Sequence, residues 1–341
     1  MRALQLVSDR NLEIADIAPP DSPGEGEVEI EIGAVALNHI DVWGWRGMAF
    51  AKRKLPLVVG AEAAGTVVSV GPGVDQLGVG QRVAIYGAQT CGTCRACREG
   101  RENLCENVGG IHGFHLDGFA RERMVTKARL CVPVPDNVGM VDAACASITF
   151  GTVEHMLFDN AELEAGETIL VQAGGSGIGT AAIRLAKHIG ATVITTVGSD
   201  EKAEKARALG ADHVINYRTE RFEGVVRKLT RKRGVDVVFE HTGVDTWQGS
   251  LFSLTRGGRL VTCGSTTGIT AQINLMQLFQ QQYRIFGSFG CAIHNLSDGL
   301  AHMAEGVLPV VDTVITLDQI EEGLARLESR KVFGKIVMTM S

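Results

Sequence analysis

Residues 168–179 read TILVQAGGSGIG, and this stretch decides the fold of the second half of the chain. Its first four residues are apolar or β-branched, which is typical of a buried strand. A glycine-rich turn follows, and the amphipathic run TAAIRLAKHIG then ends at Gly190, where glycine favours a helix C-terminus. A strand, a tight turn and a helix in this order predict the first unit of a nucleotide-binding domain.

The same alternation of strand and helix continues beyond this first unit. Further strands are predicted at residues 191–197, 213–217, 235–240 and 258–264. Between them, Ser199 is a favourable N-cap for a helix that runs through Leu209, and a basic helix is expected at residues 221–231. Because such alternation builds a parallel sheet, we predict an α/β, doubly wound Rossmann domain.

The two ends of the chain show a different pattern. Residues 1 to about 146 contain short strand-like runs separated by glycine- and proline-rich turns, which predicts a mostly β domain. After Ile285 the pattern gives a strand, a helix near residues 317–328 and a final strand. A lone helix and strand cannot bury a core, so we expect residues 1–146 and 289–341 to form one domain and 147–288 the other.

The composition excludes several classes of protein. Of 341 residues, 45% are hydrophobic and 21% are charged, as in globular proteins, while the 42 glycines indicate many tight turns. A net charge of −6 without long charged runs argues against a nucleic-acid partner. The first 16 residues are too charged for a signal peptide, and the apolar stretch 55–74 is interrupted by Glu62 and glycines. A cytoplasmic protein without a membrane partner is therefore expected.

Four of the eight cysteines, Cys91, Cys94, Cys97 and Cys105, fall within one short segment. Four thiolates at intervals of two, two and seven residues on a flexible loop suit a tetrahedral zinc ion. Disulfides are the competing interpretation, but a reducing cytosol disfavours them. An iron–sulfur cluster is disfavoured because Glu106 follows the last cysteine, where a proline is common. A shell closed by four cysteines predicts a structural zinc.

The cysteine loop of residues 91–105 and the glycine-rich turn together resemble the medium-chain dehydrogenase/reductase superfamily. The resemblance covers essentially the whole chain and implies a GroES-like, mostly β catalytic domain beside a Rossmann NAD(P)-binding domain. Zinc-dependent alcohol dehydrogenases of this superfamily bind a second, catalytic zinc through a Cys, the His of a Gly-His-Glu motif and a further Cys or acidic residue. The matching positions are Asn38, Ala61 and Cys145. Asparagine and alanine cannot replace thiolate and imidazole, so a catalytic zinc is not expected.

The same segments resemble the zinc-independent quinone reductases, whose pattern near the substrate is Asn-x-x-Asp followed by an aromatic residue. Asn38, Asp41 and Trp43 match it. The resemblance implies that Asn38 donates an amide N–H to the substrate carbonyl, Thr149 contacts the nicotinamide ring and Asp41 maintains the local hydrogen bonds. The implied activity is NAD(P)H-dependent reduction of an apolar quinone, enone or enal. Hydride addition to such a substrate leaves a delocalised charge, which does not require zinc.

The cofactor is expected to bind at the glycine-rich turn, because a helix N-terminus offers free N–H groups to a pyrophosphate. The expected cofactor-binding residues are His39, Gly174, Gly175, Ser176, Gly177, Ile178, Gly179, Ser199, Lys202, Tyr217, Gly264, Ser288 and Arg330. NAD-specific sites place an acidic residue at the end of the second strand, where this chain has Gly198. Lys202, Tyr217 and Arg330 match residues that surround the 2′-phosphate in NADPH-using quinone reductases. The resemblance therefore implies NADPH rather than NADH.

Two other functions stay open on the sequence alone. One is an NAD(P)-dependent alcohol dehydrogenase, with no catalytic metal or with one bound by His39, Glu62 and Cys145. The other is a non-catalytic NADPH-binding structural or sensor protein. Since exposed sheet edges are usually covered and the superfamily joins subunits through them, we expect a homodimer or homotetramer.

Overall fold

The computed structural model describes residues 1–48 and 53–340. The chain divides into two compact units, one formed by Met1–Gly151 with Cys291–Ser341 and the other by Thr152–Gly290. We call these unit 1 and unit 2. Within the described residues, no helix combines the length and apolar character that a membrane crossing requires.

Most of the described chain lies in short strands and helices. The strands are β1 (Arg2–Ser8), β2 (Asn11–Asp16), β3 (Glu27–Ala36), β4 (Leu57–Val58), β5 (Ala63–Val70), β6 (Arg82–Ile85), β7 (Ala88–Gln89), β8 (Gly110–Ile111), β9 (Arg123–Lys127), β10 (Cys131–Pro133), β11 (Thr168–Val171), β12 (Thr192–Val197), β13 (His213–Asn216), β14 (Val235–Glu240), β15 (Leu254–Thr262), β16 (Arg284–Gly287), β17 (Val311–Ile315) and β18 (Lys335–Thr339).

The helices are α1 (His39–Trp45), α2 (Arg95–Arg98), α3 (Met140–Ala143), α4 (Gly151–Glu154), α5 (Gly177–His188), α6 (Asp200–Ala208), α7 (Phe222–Leu229), α8 (Val244–Ser253), α9 (Leu275–Gln281), α10 (Ile293–Ala304) and α11 (Ile320–Glu328). Short 3₁₀ segments occupy Glu102–Leu104, Ala128–Leu130 and Leu317–Gln319, and π-helical segments occupy Ala146–Phe150 and His155–Asn160.

Unit 1 is built around a sheet with the order β10-β6-β5-β3-β18-β17, in which β9 also pairs with β3. The central strand β3 begins with alternating residues, so that Val28, Ile30 and Ile32 are buried while the glutamates between them face outward. The C-terminal strand β18 pairs antiparallel with β3, with Val337 opposite Ala36. The last strand of the chain thus belongs to the same sheet as β3.

Unit 2 contains six parallel strands in the order β13-β12-β11-β14-β15-β16. Numbered from β11, this is the 3-2-1-4-5-6 order of a Rossmann fold, so the predicted fold class is confirmed. Leu170, Ile194, Val238 and Leu260 lie in its core. The strand predicted at residues 258–264 begins earlier in the structure, because β15 extends back to Leu254 and pairs there with β14.

Helix α10 was not predicted. Its apolar residues Leu296, Leu300 and Met303 are spaced by four and three positions and are buried, which is the signature of an amphipathic helix. The π-helical segment Ala146–Phe150 was also not predicted, and it contains the candidate residue Thr149. Single π-helical turns are rare and occur frequently at functional sites.

Candidate active site

Asn38 and Asp41 lie at the junction between β3 and α1 in unit 1. Asn38 is the N-cap of α1, and its backbone N–H donates to Asp41 Oδ2 at 2.7 Å. Burial raises the pKa of Asp41 to about 6, although the nearby Lys335 ammonium opposes this shift. The second oxygen, Oδ1, has no hydrogen-bond partner among the described residues. Asp41 thus anchors the backbone of Asn38.

Glu62 is fully buried and lies at the centre of the site. Its Oε1 accepts hydrogen bonds from the backbone N–H groups of Ile148 and Thr149, both at 2.6 Å. Its Oε2 accepts from Thr149 Oγ1 at 2.9 Å, from Asn38 Nδ2 at 3.0 Å and from Lys335 Nζ at 3.1 Å. Five donors therefore satisfy this carboxylate and join β5, the π-helical segment and β18.

Lys335 is only 3% exposed and supplies the cation that balances Glu62. A buried carboxylate needs a partner charge, and the sequence analysis did not identify Lys335 as that partner. Its ammonium also donates to Asn38 Oδ1 at 2.7 Å. We call Asn38, Glu62, Thr149 and Lys335 the charge cluster.

Lys335 fixes the orientation of the Asn38 amide. An ammonium can only donate, so the Asn38 atom that faces it must be the oxygen. The Asn38 NH₂ group then donates to Ala36 O at 3.1 Å and to Glu62 at 3.0 Å, which uses both of its hydrogens. The predicted donation from Asn38 to a substrate carbonyl therefore does not fit this arrangement, because the structure commits both amide hydrogens to protein acceptors.

A catalytic zinc does not fit the residues at this position. Asn38 Oδ1 already accepts from an ammonium, which would repel a metal cation, and Ala61 has no ligand atom. Cys145 is buried, which raises the pKa of its thiol above the usual range, and its Sγ lies 3.8 Å from Val141 O as a donor. Two of the three positions therefore lack the thiolate or imidazole that would ligate zinc.

The four-cysteine loop fits a structural zinc. The four Sγ atoms of Cys91, Cys94, Cys97 and Cys105 lie within 4.8 Å of one another. The Cys91–Cys97 and Cys94–Cys105 sulfur pairs are 3.9 and 4.0 Å apart, close to the roughly 3.8 Å edge of a tetrahedron with Zn–S distances of about 2.3 Å. These features support zinc binding at the loop.

The glycine-rich turn in unit 2 has the geometry of a pyrophosphate cradle. Ser176 is the N-cap of the twelve-residue helix α5, and its Oγ accepts from Gly179 N at 2.9 Å. A Cβ at Gly179 would lie 2.4 Å from Ala173 O, so only glycine fits there. His241 Nε2 lies 3.5 Å from Ser176 Oγ and 2.9 Å from Gln172 O, which places a neutral imidazole beside the turn.

The remaining expected cofactor residues lie in both units. Ser199 is the N-cap of α6, as predicted, and its Oγ accepts from Lys202 N at 3.2 Å. Ser288 Oγ accepts from Asn160 Nδ2 at 3.3 Å. Ser199, Lys202, Tyr217, Gly264 and Ser288 belong to unit 2, whereas the exposed His39 and Arg330 belong to unit 1.

The Tyr217 side chain restricts which residue can occupy position 198, directly after β12. A Cβ added at Gly198 would lie 2.5 Å from the Tyr217 hydroxyl oxygen, so an acidic side chain cannot enter without moving the tyrosine. The two acidic residues nearby are engaged elsewhere. Asp200 accepts from Asn216 Nδ2 at 2.9 Å, and Glu201 pairs with Lys205 at 2.7 Å.

Comparison with known proteins identifies the family. A zinc-binding dehydrogenase model matches residues 177–305, and an alcohol dehydrogenase GroES-like domain model matches residues 24–136. An acryloyl-coenzyme A reductase of Metallosphaera sedula is 31% identical over 329 residues, which are 96% of each chain. The chain belongs to the medium-chain dehydrogenase/reductase superfamily. It is an oxidoreductase with a nicotinamide cofactor.

Other members of the superfamily carry different activities in their names. A quinone oxidoreductase of Salmonella typhimurium is 34% identical over 262 residues, 77% of this chain and 72% of that protein. A crystal structure of an NAD-dependent alcohol dehydrogenase superposes with a TM-score of 0.94 at 38% identity and covers both chains completely. The chemistry of this medium-chain dehydrogenase/reductase must therefore be argued from its own residues.

Lys335 is the site residue that sequence reasoning missed. It lies in the segment GKIVMTM, whose other β18 residues Ile336, Val337 and Met338 are fully buried. A lysine at the start of such a strand was a usable signal, because lysine is almost never buried without a partner. The chain separates Lys335 from Asn38 by 297 positions, so the partner itself was not deducible.

Proposed function

We propose that this medium-chain dehydrogenase/reductase uses NADPH to reduce a quinone or an activated carbon–carbon double bond without a catalytic metal. The observation that carries the proposal is the charge cluster. At the positions that match the zinc ligands of the alcohol dehydrogenases, this chain places Asn38, Ala61 and a neutral buried Cys145. The buried ammonium of Lys335 donates a hydrogen bond to the side-chain oxygen of Asn38.

The proposed reaction suits such a site. When bound, the nicotinamide cofactor would supply a hydride, and this hydride would form a new C–H bond at the β-carbon of an α,β-unsaturated carbonyl compound. The π electrons of the double bond move toward the carbonyl, so negative charge appears on its oxygen and the α-carbon then takes a proton from water. That charge is delocalised, unlike the localised charge of an alkoxide, so hydrogen bonds and a nearby cation are sufficient to stabilise it.

Residues of unit 2 support the choice of NADPH. The end of β12 has no acidic side chain for the ribose hydroxyls, since Gly198 abuts the Tyr217 hydroxyl. Lys202 lies in the first turn of α6, where a phosphate would be favoured both by the ammonium and by the helix dipole. The glycine-rich turn and the N-terminus of α5 would bind the pyrophosphate.

Two of the similar proteins have names that agree with an electron-poor acceptor. An acryloyl-coenzyme A reductase acts on an unsaturated thioester by its name, and a quinone oxidoreductase on a quinone. Alcohol oxidation is the second candidate, because the similar crystal structure is of an NAD-dependent alcohol dehydrogenase. That reaction would place a localised alkoxide at the charge cluster and would consume NAD⁺, in keeping with the name of that NAD-dependent protein.

We also propose a cytoplasmic homodimer or homotetramer. All eight cysteines are free thiols in the structure, including the four of the zinc loop, which is consistent with a reducing compartment. Strand β16 lies at an open edge of the unit 2 sheet. Leu275, Met276 and Phe279 of the preceding helix are each more than 60% exposed, and a second subunit would cover such an apolar surface.

A turnover screen tests the proposed function. Purified protein is assayed with enones, quinones, enoyl-CoA thioesters and primary and secondary alcohols, with NADPH or NADH and their oxidised forms. We expect NADPH oxidation with at least one electron-poor alkene or quinone and little NADP⁺ reduction with alcohols. Alcohol oxidation as the dominant activity would contradict the proposal. Tight NADPH binding without turnover in any class would favour a non-catalytic cofactor-binding protein.

A further inference from the structure

His241 lies directly after β14, at the point where the strand order of unit 2 reverses. Strands β11 and β14 are neighbours in the sheet, with β12 and β13 on one side and β15 and β16 on the other. Gln172 is the first residue after β11, and His241 is the first after β14. In doubly wound sheets a dinucleotide binds at this reversal, outside the carboxyl ends of the strands. His241 therefore lies at the edge of the expected cofactor crevice.

The contacts of His241 determine which ring nitrogen carries the hydrogen. Its Nε2 lies 2.9 Å from Gln172 O. A carbonyl oxygen can only accept, so Nε2 must carry a hydrogen. Burial lowers the pKa of the imidazole, although the Glu240 carboxylate and the hydrogen bond to Gln172 O oppose this shift, and the ring is therefore neutral. Nδ1 then has no hydrogen and can only accept.

Nδ1 is available to a ligand. It has no hydrogen-bond partner within residues 1–48 and 53–340, the protein does not enclose it, and the side chain is partly exposed. The ring packs against Phe239 in a T-shaped arrangement, with 5.7 Å between the ring centroids. Its Nε2 also lies 3.5 Å from Ser176 Oγ, in the turn that is expected to bind the pyrophosphate. An acceptor of fixed orientation thus lies beside that turn.

Buried polar groups hold the ends of both strands in place. Glu240 is fully buried, and its carboxylate accepts from the backbone N–H of Thr242 at 2.6 Å and from Ser250 Oγ at 2.7 Å. Gln172 is also fully buried, and its side chain donates to the same Ser250 hydroxyl at 3.0 Å. One hydroxyl therefore links the ends of β11 and β14. The position of His241 is fixed before a ligand binds, which reduces the entropic cost of binding.

We propose that His241 is a cofactor-binding residue whose Nδ1 accepts a hydrogen bond from a hydroxyl group of the ribose next to the nicotinamide. The cofactor has two riboses, one on each side of the pyrophosphate. In this fold the end of the second strand, here β12, binds the adenosine ribose, so the other ribose lies on the opposite side of the turn, toward β14. This inference uses only the nicotinamide cofactor of the family and does not depend on which substrate is reduced.

A purely structural role of His241 predicts different behaviour, and two substitutions separate the roles. A glutamine amide reaches about as far as Nε2, so His241→Gln can still donate to Gln172 O but has no acceptor at the position of Nδ1. An asparagine amide reaches only about as far as Nδ1, so His241→Asn keeps an acceptor there and loses the hydrogen bond to Gln172 O. His213→Gln is the matched control, because His213 is exposed in the same unit and lies at the start of β13, away from the carboxyl ends.

Titration calorimetry measures the dissociation constants of the cofactor and of two of its fragments, and the thermal midpoint reports stability. The cofactor is NADPH or NADH, whichever the wild type binds more tightly. One fragment is its adenosine phosphate half, and the other is its ADP-ribose part, which has both riboses but no nicotinamide ring.

We expect His241→Gln to weaken binding of the cofactor and of the ADP-ribose part about three- to tenfold, as for the loss of one hydrogen bond. Its binding of the adenosine fragment and its thermal midpoint should stay as in the wild type. His241→Asn should bind the cofactor more tightly than His241→Gln does but unfold at a lower temperature. His213→Gln should match the wild type in every measurement.

A folded His241→Gln variant that binds the cofactor within about twofold of the wild type would overturn the inference. Equal weakening of the adenosine fragment would overturn it as well, because that fragment lacks the second ribose. If His241→Gln does not fold, His241→Asn decides: retained cofactor binding supports the role of Nδ1, and lost binding contradicts it. No substrate is present in these titrations, so alcohol oxidation by the wild type would contradict the proposed function and leave the role of His241 unchanged.

Discussion

The Nζ atom of Lys335 lies 2.7 Å from the side-chain oxygen of Asn38, although 297 positions separate the two residues in the chain. The contact exists because β18 pairs with β3, at whose end Asn38 lies. It turns the Asn38 amide so that its NH₂ group faces Glu62 and Ala36. The contact with Lys335 thus commits both amide hydrogens of Asn38 to protein acceptors.

Removal of one zinc ligand should affect stability rather than chemistry. We expect the wild type to contain about one zinc per chain, and Cys94→Ser to lose that zinc and to unfold at a lower temperature. Turnover per folded molecule should change little, because the cysteine shell has no open position. Zinc content, the thermal midpoint and kcat are measured together.

Cys131→Ser is the control for this prediction, since Cys131 is a buried thiol of unit 1 outside the zinc loop. It should retain zinc. Loss of turnover after chelation, with the circular dichroism spectrum unchanged, would mean that a metal takes part in the reaction.

Lys202→Ala should weaken NADPH selectively. A charged hydrogen bond to the 2′-phosphate contributes about 1.5 to 3 kcal/mol, so kcat/KM with NADPH should fall roughly ten- to a hundredfold and hardly change with NADH. Lys205→Ala is the matched control, because Lys205 lies in the same helix and pairs with Glu201. Equal losses with both cofactors would show that Lys202 does not contact the phosphate.

Asp41→Asn should change the pH dependence of stability. The pKa of Asp41 is about 6 in the folded protein, against 3.8 as its ordinary value, so between these values the folded state binds more protons than the unfolded state. Wild-type stability therefore decreases as the pH rises from 4 to 6. An asparagine oxygen can still accept from Asn38 N but does not ionise, so the variant lacks this decrease.

The difference in unfolding free energy between variant and wild type should shift in favour of Asp41→Asn by about 2 kcal/mol from pH 4 to pH 7. Chemical denaturation at these two pH values measures it, and the contributions of other titrating groups cancel in the difference. A difference that is the same at both pH values would show that Asp41 is not perturbed.

Phe279→Glu should dissociate the oligomer. Phe279 is 67% exposed in unit 2, and a charge there opposes burial against a second subunit. Val79→Glu alters an equally exposed apolar residue of unit 1, 68% exposed, and should leave the assembly intact. Light scattering at micromolar concentration gives the mass. A wild type that is already a monomer would refute the predicted assembly.

Local patterns were sufficient for much of the fold. The cap at Ser199 and the glycine-rich turn each depend on neighbours in the sequence, and the structure has them where they were predicted. The four cysteines also lie within one short loop, so their spacing alone predicted the cluster.

The chemistry of the candidate site depended on a distant contact. The resemblance assigned Asn38 a donor role, but the orientation of its amide is set by Lys335 from the last strand of the chain. Sequence spacing cannot show which strand lies beside which in a sheet of mixed order. The sequence analysis therefore assigned Asn38 a free amide hydrogen, whereas the structure commits both amide hydrogens to protein acceptors.

The position of deuterium in the product tests the central claim most directly. The wild type is given an α,β-unsaturated ketone and NADPH that carries deuterium at the transferable position of C4, and the product is analysed by mass spectrometry and NMR. Reduction of the activated double bond predicts a saturated ketone with one deuterium at the β-carbon. An allylic alcohol with deuterium at the carbinol carbon would show hydride transfer to the carbonyl, as in an alcohol dehydrogenase, and would contradict the account.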